Sequence, residues 1–108
     1  MKTKKVIVNV TAADIKHGQR MDCHSCPIAR AVSRRLKPGY RLYMCRTYYY
    51  IERVHRSGGW RGERVTDWLA TPKKAEEFVR LFDSCQQEER DKAKPCRITW
   101  ELPEEFLL

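Results

Sequence analysis

Two short segments, one at each end of the chain, alternate apolar and polar residues so regularly that each has a single apolar face. Lys5 to Val10 reads KVIVNV, with Val6, Val8 and Val10 on one side. Cys96 to Leu102 reads CRITWEL, with Ile98, Trp100 and Leu102 on one side and Arg97, Thr99 and Glu101 on the other. A period of two marks a half-buried strand. Both strands have to hide their apolar faces in the same core, so the last is expected to return beside the first. Pro103 is expected to end it.

The segments between them supply the rest of an α+β fold. Thr11 can cap a short helical turn over Ala12 to Ile15, with Asp14 three residues on, and Gly18 ends it. Pro27 suits the first position of a helix, where its missing N–H costs nothing, with Ser25 or Cys26 as the cap. Ile28, Ala31, Val32 and Leu36 then form an apolar stripe, and Lys37-Pro38-Gly39 stops the helix. Arg30, Arg34 and Lys37 recur at i, i+4 and i+7 and are expected to project together. Tyr40–His55 is rich in strand formers and reads as two strands, about Tyr40–Cys45 and Tyr48–Val54, broken near Arg46-Thr47. One long bent strand is the other reading. Within it either Tyr48 and Tyr50, or Tyr49 with Ile51, face the core. Ser57–Gly62 reads as a turn or loop, and Val65 to Leu69 as a short strand. Thr71-Pro72 starts a second long helix through Ala75, Phe78, Val79, Phe82 and Cys85, to about Ser84. Gln86 to Lys94 is polar and reads as a loop or frayed extension. The expected product is a single α+β domain over 1–108, with a mostly antiparallel sheet of four to five strands and two helices on one face.

Charge is the second constraint. The 108 residues carry a net charge of +8. Residues 16–64 hold twelve Lys or Arg against Asp22, Glu52 and Glu63, whereas residues 65–108 hold seven basic and ten acidic side chains. The excess therefore lies in the middle of the chain, and from Arg30 to Arg64 nine of its ten cations are arginine. Arginine offers a planar fork of donors that fits phosphate and carboxylate. Such a field attracts nucleic acid, nucleoprotein or an acidic protein surface. The expected contact set is Arg30, Arg34, Lys37, Arg41, Arg46, Arg53, Arg56, Trp60, Arg61 and Arg64.

No run approaches the ~18 apolar residues of a membrane span, and the charged start lacks the pattern of a signal peptide. Five cysteines, an odd number, accompany it. Reduced thiols in a cytoplasm are the expectation, with no membrane partner.

Three local features could carry chemistry. Cys23-His24-Ser25-Cys26-Pro27 supplies one C-x-x-C pair, where a tetrahedral zinc site usually draws on two. The same pair at a helix N-terminus suggests a thiol of lowered pKa and a redox role. The plainer reading packs Cys26 in the core beneath Pro27 and leaves Cys23 to shape the loop. The second feature interleaves Tyr40, Tyr43, Tyr48, Tyr49 and Tyr50 with Arg41, Arg46 and Arg53, a pattern that can stack on bases while arginine holds phosphate. The third is Trp60 in a glycine loop between Arg56 and Arg61, with Arg64 just beyond it, a composition common in binding hot spots. His17, His24 and His55 are scattered, no serine sits in a nucleophile elbow, and no catalytic residue, cofactor or metal is expected.

The run from Val8 to Val32, V-x-V-T-x-x-D-I-x-x-G followed by D-C-x-x-C-P-I-A-x-A-V, resembles a group of small proteins encoded by bacteriophages and prophages. Thr71-Pro72, Ala75, Glu77-Phe78, Phe82-Asp83 and the closing strand after Pro95 extend the likeness. The Arg/Tyr-rich centre, residues 40 to 65, departs from it. The resemblance implies a bacterial host cytoplasm and carries no activity. With the charge pattern it leads to a non-enzymatic protein that docks its basic surface on a host nucleoprotein or acidic protein, in its concrete form an anti-CRISPR-like inhibitor. The alternatives are direct DNA or RNA binding, and a zinc-stabilised or thiol-redox domain built on Cys23 and Cys26.

Overall fold

The computed structural model describes residues 1–54 and 62–108. The chain runs through β1 (Thr3–Val10), α1 (Ala12–His17), α2 (Pro27–Ser33), β2 (Tyr40–Met44), β3 (Tyr48–Val54), β4 (Gly62–Arg64), β5 (Leu69–Ala70), α3 (Lys73–Phe82), α4 (Gln87–Arg90) and β6 (Cys96–Pro103). A single 3-10 turn, Glu104–Phe106, follows. This is the expected α+β architecture with antiparallel strands, and the strands divide between two sheets.

The terminal strands form one sheet by themselves. β1 and β6 pair antiparallel, with Val6 opposite Trp100 and Val8 opposite Ile98. Their valines, Ile98, Trp100 and Leu102 are buried as the alternation requires. In the second sheet β3 is central, with β2 on one side and β4 and β5 sharing the other. Leu42 and Met44 of β2 and Tyr49 and Ile51 of β3 face inward. The second of the two tyrosine registers is thus the one adopted. Both sheets, α2, α3 and the C-terminal Phe106 and Leu107 contribute to one buried apolar cluster.

Three boundaries differ from expectation, each through a competing hydrogen bond. Helix α2 ends at Ser33, because Leu36 turns away to bridge Leu107 and the Lys37 N–H donates to the Phe106 carbonyl at 2.8 Å. Lys37 therefore does not continue the stripe of Arg30 and Arg34. The expected Val65 to Leu69 strand is interrupted: the Val65 N–H still bonds the Ile51 carbonyl at 2.9 Å and Leu69 opens β5, but the residues between them are unpaired in the sheet. Thr66 causes the break, its hydroxyl taking the Ile51 N–H at 3.1 Å and donating to the Asp67 carbonyl at 3.0 Å. Thr71 is not the cap of α3. Its N–H bonds the Thr47 carbonyl at 2.9 Å and prolongs the β5 pairing, so Pro72 takes the cap position and the helix begins at Lys73. The polar stretch after α3 holds the single turn α4.

Candidate functional site: an aromatic face with a basic rim

The inward residues of β2 and β3 leave their alternates on the opposite side of the sheet. The register sets Tyr43 opposite Tyr50 and Arg41 opposite Glu52. The two tyrosine rings stack, with centroids 4.5 Å apart and planes at 9°. The bulged passage after Thr66 carries Trp68 onto the same face. Its indole stands edge-on to both rings, 4.8 Å from Tyr50 and 6.0 Å from Tyr43. It remains 49% exposed.

The loop before α2 completes the face. One Asp22 carboxylate oxygen accepts the backbone N–H groups of His24 and Ser25, each at 2.9 Å. Such a turn needs no partner beyond its own aspartate. The loop is also tied outward: Asp83 accepts the Met21 N–H, and Arg20 donates to the Ser84 carbonyl, both at 2.9 Å. Met21 takes a left-handed φ of 56° in this turn. The Cys23 carbonyl accepts the Met44 N–H at 2.9 Å, which docks the loop on the end of β2. His24 is thereby laid against the sheet, its ring 5.1 Å from Tyr43 and its Nε2 2.5 Å from Glu52 Oε1. Arg41 Nε donates to the same oxygen at 2.8 Å. Glu52 is only 4% exposed, and a charge so buried has to be paired. Arg64, opposite Glu52 on β4, is exposed at the rim.

Neither thiol of the C-x-x-C pair is activated. Cys26 is the N-cap of α2, its sulfur accepting the Ala29 N–H at 3.4 Å. Burial pushes its thiol up to about 11. This reverses the lowered value expected at a helix start, because α2 is short and the sulfur is shut away from water. Burial also raises Cys23, and neighbouring Cys45 adds to the effect. The hydrogen bond to Cys23 raises the Tyr43 hydroxyl above its ordinary range. Among the described residues no group of three or more His, Cys, Asp or Glu side chains is arranged to hold a metal ion.

The expected contact residues fall into separate groups. Arg34 grips buried Asp14, and Arg30 Nε lies 3.5 Å from the same carboxylate. Burial would raise Asp14, but the bonds from Arg34 and Thr11 outweigh it and hold the carboxyl at about 2. Arg53 lies at the far end of the β2–β3 pair, 5.8 Å above the Tyr40 ring, and the Lys37 carbonyl accepts the Tyr40 N–H at 3.2 Å. Arg46, in the turn between β2 and β3, lines a shallow cleft with Lys73, Glu76, Glu77 and Arg80. Arg41 and Arg64 join the aromatic face. Arg56, Trp60, Arg61 and also His55 lie outside the described residues. Trp68 and Glu52 carry no mark in the sequence that assigns them to a site, and His24 stands there only as part of the C-x-x-C element; the pairing of Glu52 with Arg41 emerges from the β2–β3 register. No helix among the described residues is long and apolar enough to cross a membrane.

Fold and face together define a small antiparallel α+β protein with a pre-packed aromatic and basic surface. No family model, curated protein or solved structure matches the chain.

Proposed function

We propose that this chain is a non-enzymatic binding protein that docks the outer face of β2, β3 and β4 on an acidic partner, a host nucleoprotein or an acidic protein. The observation that carries the reading is Trp68, half exposed and propped edge-on against the stacked Tyr43–Tyr50 pair. A large apolar side chain held rigidly at the surface loses little freedom on binding and makes a natural hot spot. Arg41 and Arg64 at the face, together with the net positive charge of residues 16–64, supply a field that steers an acidic partner. The likeness of the chain's ends to phage-encoded proteins supports a bacterial cytoplasm as the setting. An anti-CRISPR-like inhibitor of a defence complex is the concrete form of the proposal.

The test is affinity capture from a bacterial lysate with and without nuclease, repeated with Trp68→Ala and Arg64→Glu. A partner retained after nuclease, lost with both variants, and weakened as salt rises supports the reading. A partner that both variants hold as tightly as the parent chain overturns it.

A second reading, direct nucleic-acid binding, draws on the same indole, because an exposed ring beside arginine can stack on an unpaired base. It requires quenching of Trp68 fluorescence by a single-stranded oligonucleotide at low salt, with log affinity falling steeply against log salt.

A further inference from the structure

The two sheets also present unpaired edges to a common cleft. In the β1–β6 ladder the Lys2 carbonyl accepts the Glu104 N–H at 2.9 Å. The alternation of an antiparallel ladder then turns the backbone groups of Arg97, Thr99 and Glu101 away from β1. Two of them are capped by side chains: Lys74 Nζ donates to the Arg97 carbonyl at 2.6 Å, and the Tyr49 hydroxyl to the Glu101 carbonyl at 3.2 Å. Thr99, between them, has no backbone partner among the described residues. On β5 the Thr71 N–H faces β3, so Ala70 must face away, and it too has no partner there. Ala70 and Thr99 both line a cleft of about 520 Å³, together with Tyr49, Leu69, Thr71, Pro72, Lys73 and Trp100. The Thr71 hydroxyl, in a residue 8% exposed, has no hydrogen-bond partner among the described residues. The buried hydroxyl is costly unless something meets it, and the two exposed backbone edges are ready templates for pairing with another chain.

We propose that this cleft binds an extended peptide segment of a partner protein, which adds as a strand between β5 and β6 and joins the two sheets. A single extended chain has two hydrogen-bonding edges, one for each wall. A folded second copy does not meet this requirement, because each strand of the fold already has one edge engaged. Leu69 and Pro72, partly exposed over the buried Tyr49 and Trp100, give the cleft its apolar lining, which favours apolar side chains at alternate positions of the segment. Lys73 and Glu101, one charge of each sign, stand at the rim, so selection rests on the apolar alternation and not on net charge. The site is separate from the Trp68 face and does not depend on its proposed role.

Amide hydrogen exchange on the full chain is the first test. Thr99 and Ala70 should exchange fast, while Ile98 and Trp100, bonded to β1, exchange slowly. Equal protection at all four would mean the edges are already closed and overturns the proposal. The second test pans a random-peptide display library on the full chain and synthesises the selected peptides. Expected are sequences apolar at alternate positions that slow exchange at Thr99 and Ala70. Thr99→Pro, which removes the edge donor without touching the β1 ladder, should weaken them at least about tenfold. Thr71→Val keeps the side-chain shape and should weaken them severalfold, whereas Trp68→Ala should leave them unchanged. An empty selection, or peptides that bind without protecting these amides, overturns the proposal. Protection that appears without peptide, in step with dimer formation, assigns the edges to a second copy and overturns it equally.

Discussion

Asp14 is fully buried, and the Arg34 guanidinium holds both of its carboxylate oxygens, Nη2 donating to Oδ2 at 2.6 Å and Nη1 to Oδ1. The same Nη2 donates to the Asn9 carbonyl at 3.1 Å. Asp14 also closes the capping box of α1, accepting the Thr11 N–H at 2.9 Å. One ion pair thus ties β1, α1 and α2 together. Arginines that look available for a partner in the sequence are, at Arg34 and Arg30, structural.

The pair makes the fold acid-sensitive. The Asp14 carboxyl is held at about 2, against an ordinary 3.8. Its folded-state value is depressed, so its contribution is fully present above the unfolded value and is lost as pH falls through the folded one. The depression corresponds to about 2 kcal/mol of stability. Urea unfolding followed from pH 6 to pH 2 should show this loss concentrated between about pH 4 and pH 2. Asp14→Asn should flatten that part of the profile; an unchanged profile would remove Asp14 as its source.

Breaking the pair from the cationic side should be more damaging than losing a surface charge. Arg34→Met leaves a buried carboxylate with Arg30 Nε at 3.5 Å as its nearest cation. The expected cost is about 3 kcal/mol, at the low end for a broken buried pair because Arg30 stays. Arg64→Met, at an exposed position, should cost less than about 0.5 kcal/mol. Thermal unfolding of the two variants side by side checks the contrast, and a double variant Asp14→Asn/Arg34→Met should recover part of the first loss.

What the sequence made legible was the part governed by local periodicity. The valines of β1, the Ile98-Trp100-Leu102 face of β6, the Thr11–Asp14 capping box and Pro27 at a helix start are each set by neighbours a few residues apart. The misplaced boundaries all depend on distant partners: Leu107 for the end of α2, Thr47 for the start of α3, Ile51 for the break at Thr66. The candidate site divides in the same way. Tyr43, Tyr50 and Arg41 could be placed in strand from composition, whereas their pairing and shared face come from the β2–β3 register. His24 and Trp68 arrive from loops whose course is decided by Asp22 and Thr66, and Glu52 is meaningful only once β2 has put Arg41 against it.

The cysteines should differ sharply in reactivity. Cys85 is exposed and Cys26 is buried, with burial pushing its thiol up to about 11. A thiolate-selective reagent at pH 8 should label Cys85 first and leave Cys26 unmodified until the chain unfolds. Mass spectrometry of partly labelled protein reads the order directly. Early labelling of Cys26 would contradict its place as the N-cap of α2.

Glu52 sets a limit on what Gly62 can become. A Cβ built at Gly62 would come within 2.5 Å of both the Glu52 carboxyl carbon and one of its oxygens. An exposed glutamate would swing aside at little cost. Glu52 is 4% exposed and is held by Arg41 and His24, so its retreat breaks those contacts. Gly62→Ala should therefore destabilise the fold by about 1–3 kcal/mol, the usual range for overpacking a buried site. On a Glu52→Asp background the carboxylate sits one methylene further back, and the same alanine should cost less. Urea midpoints of the four proteins in this cycle measure the coupling, with the slope of the transition held constant as the check that only stability has changed. Additive effects of the two substitutions would mean that Gly62 and Glu52 do not meet as described.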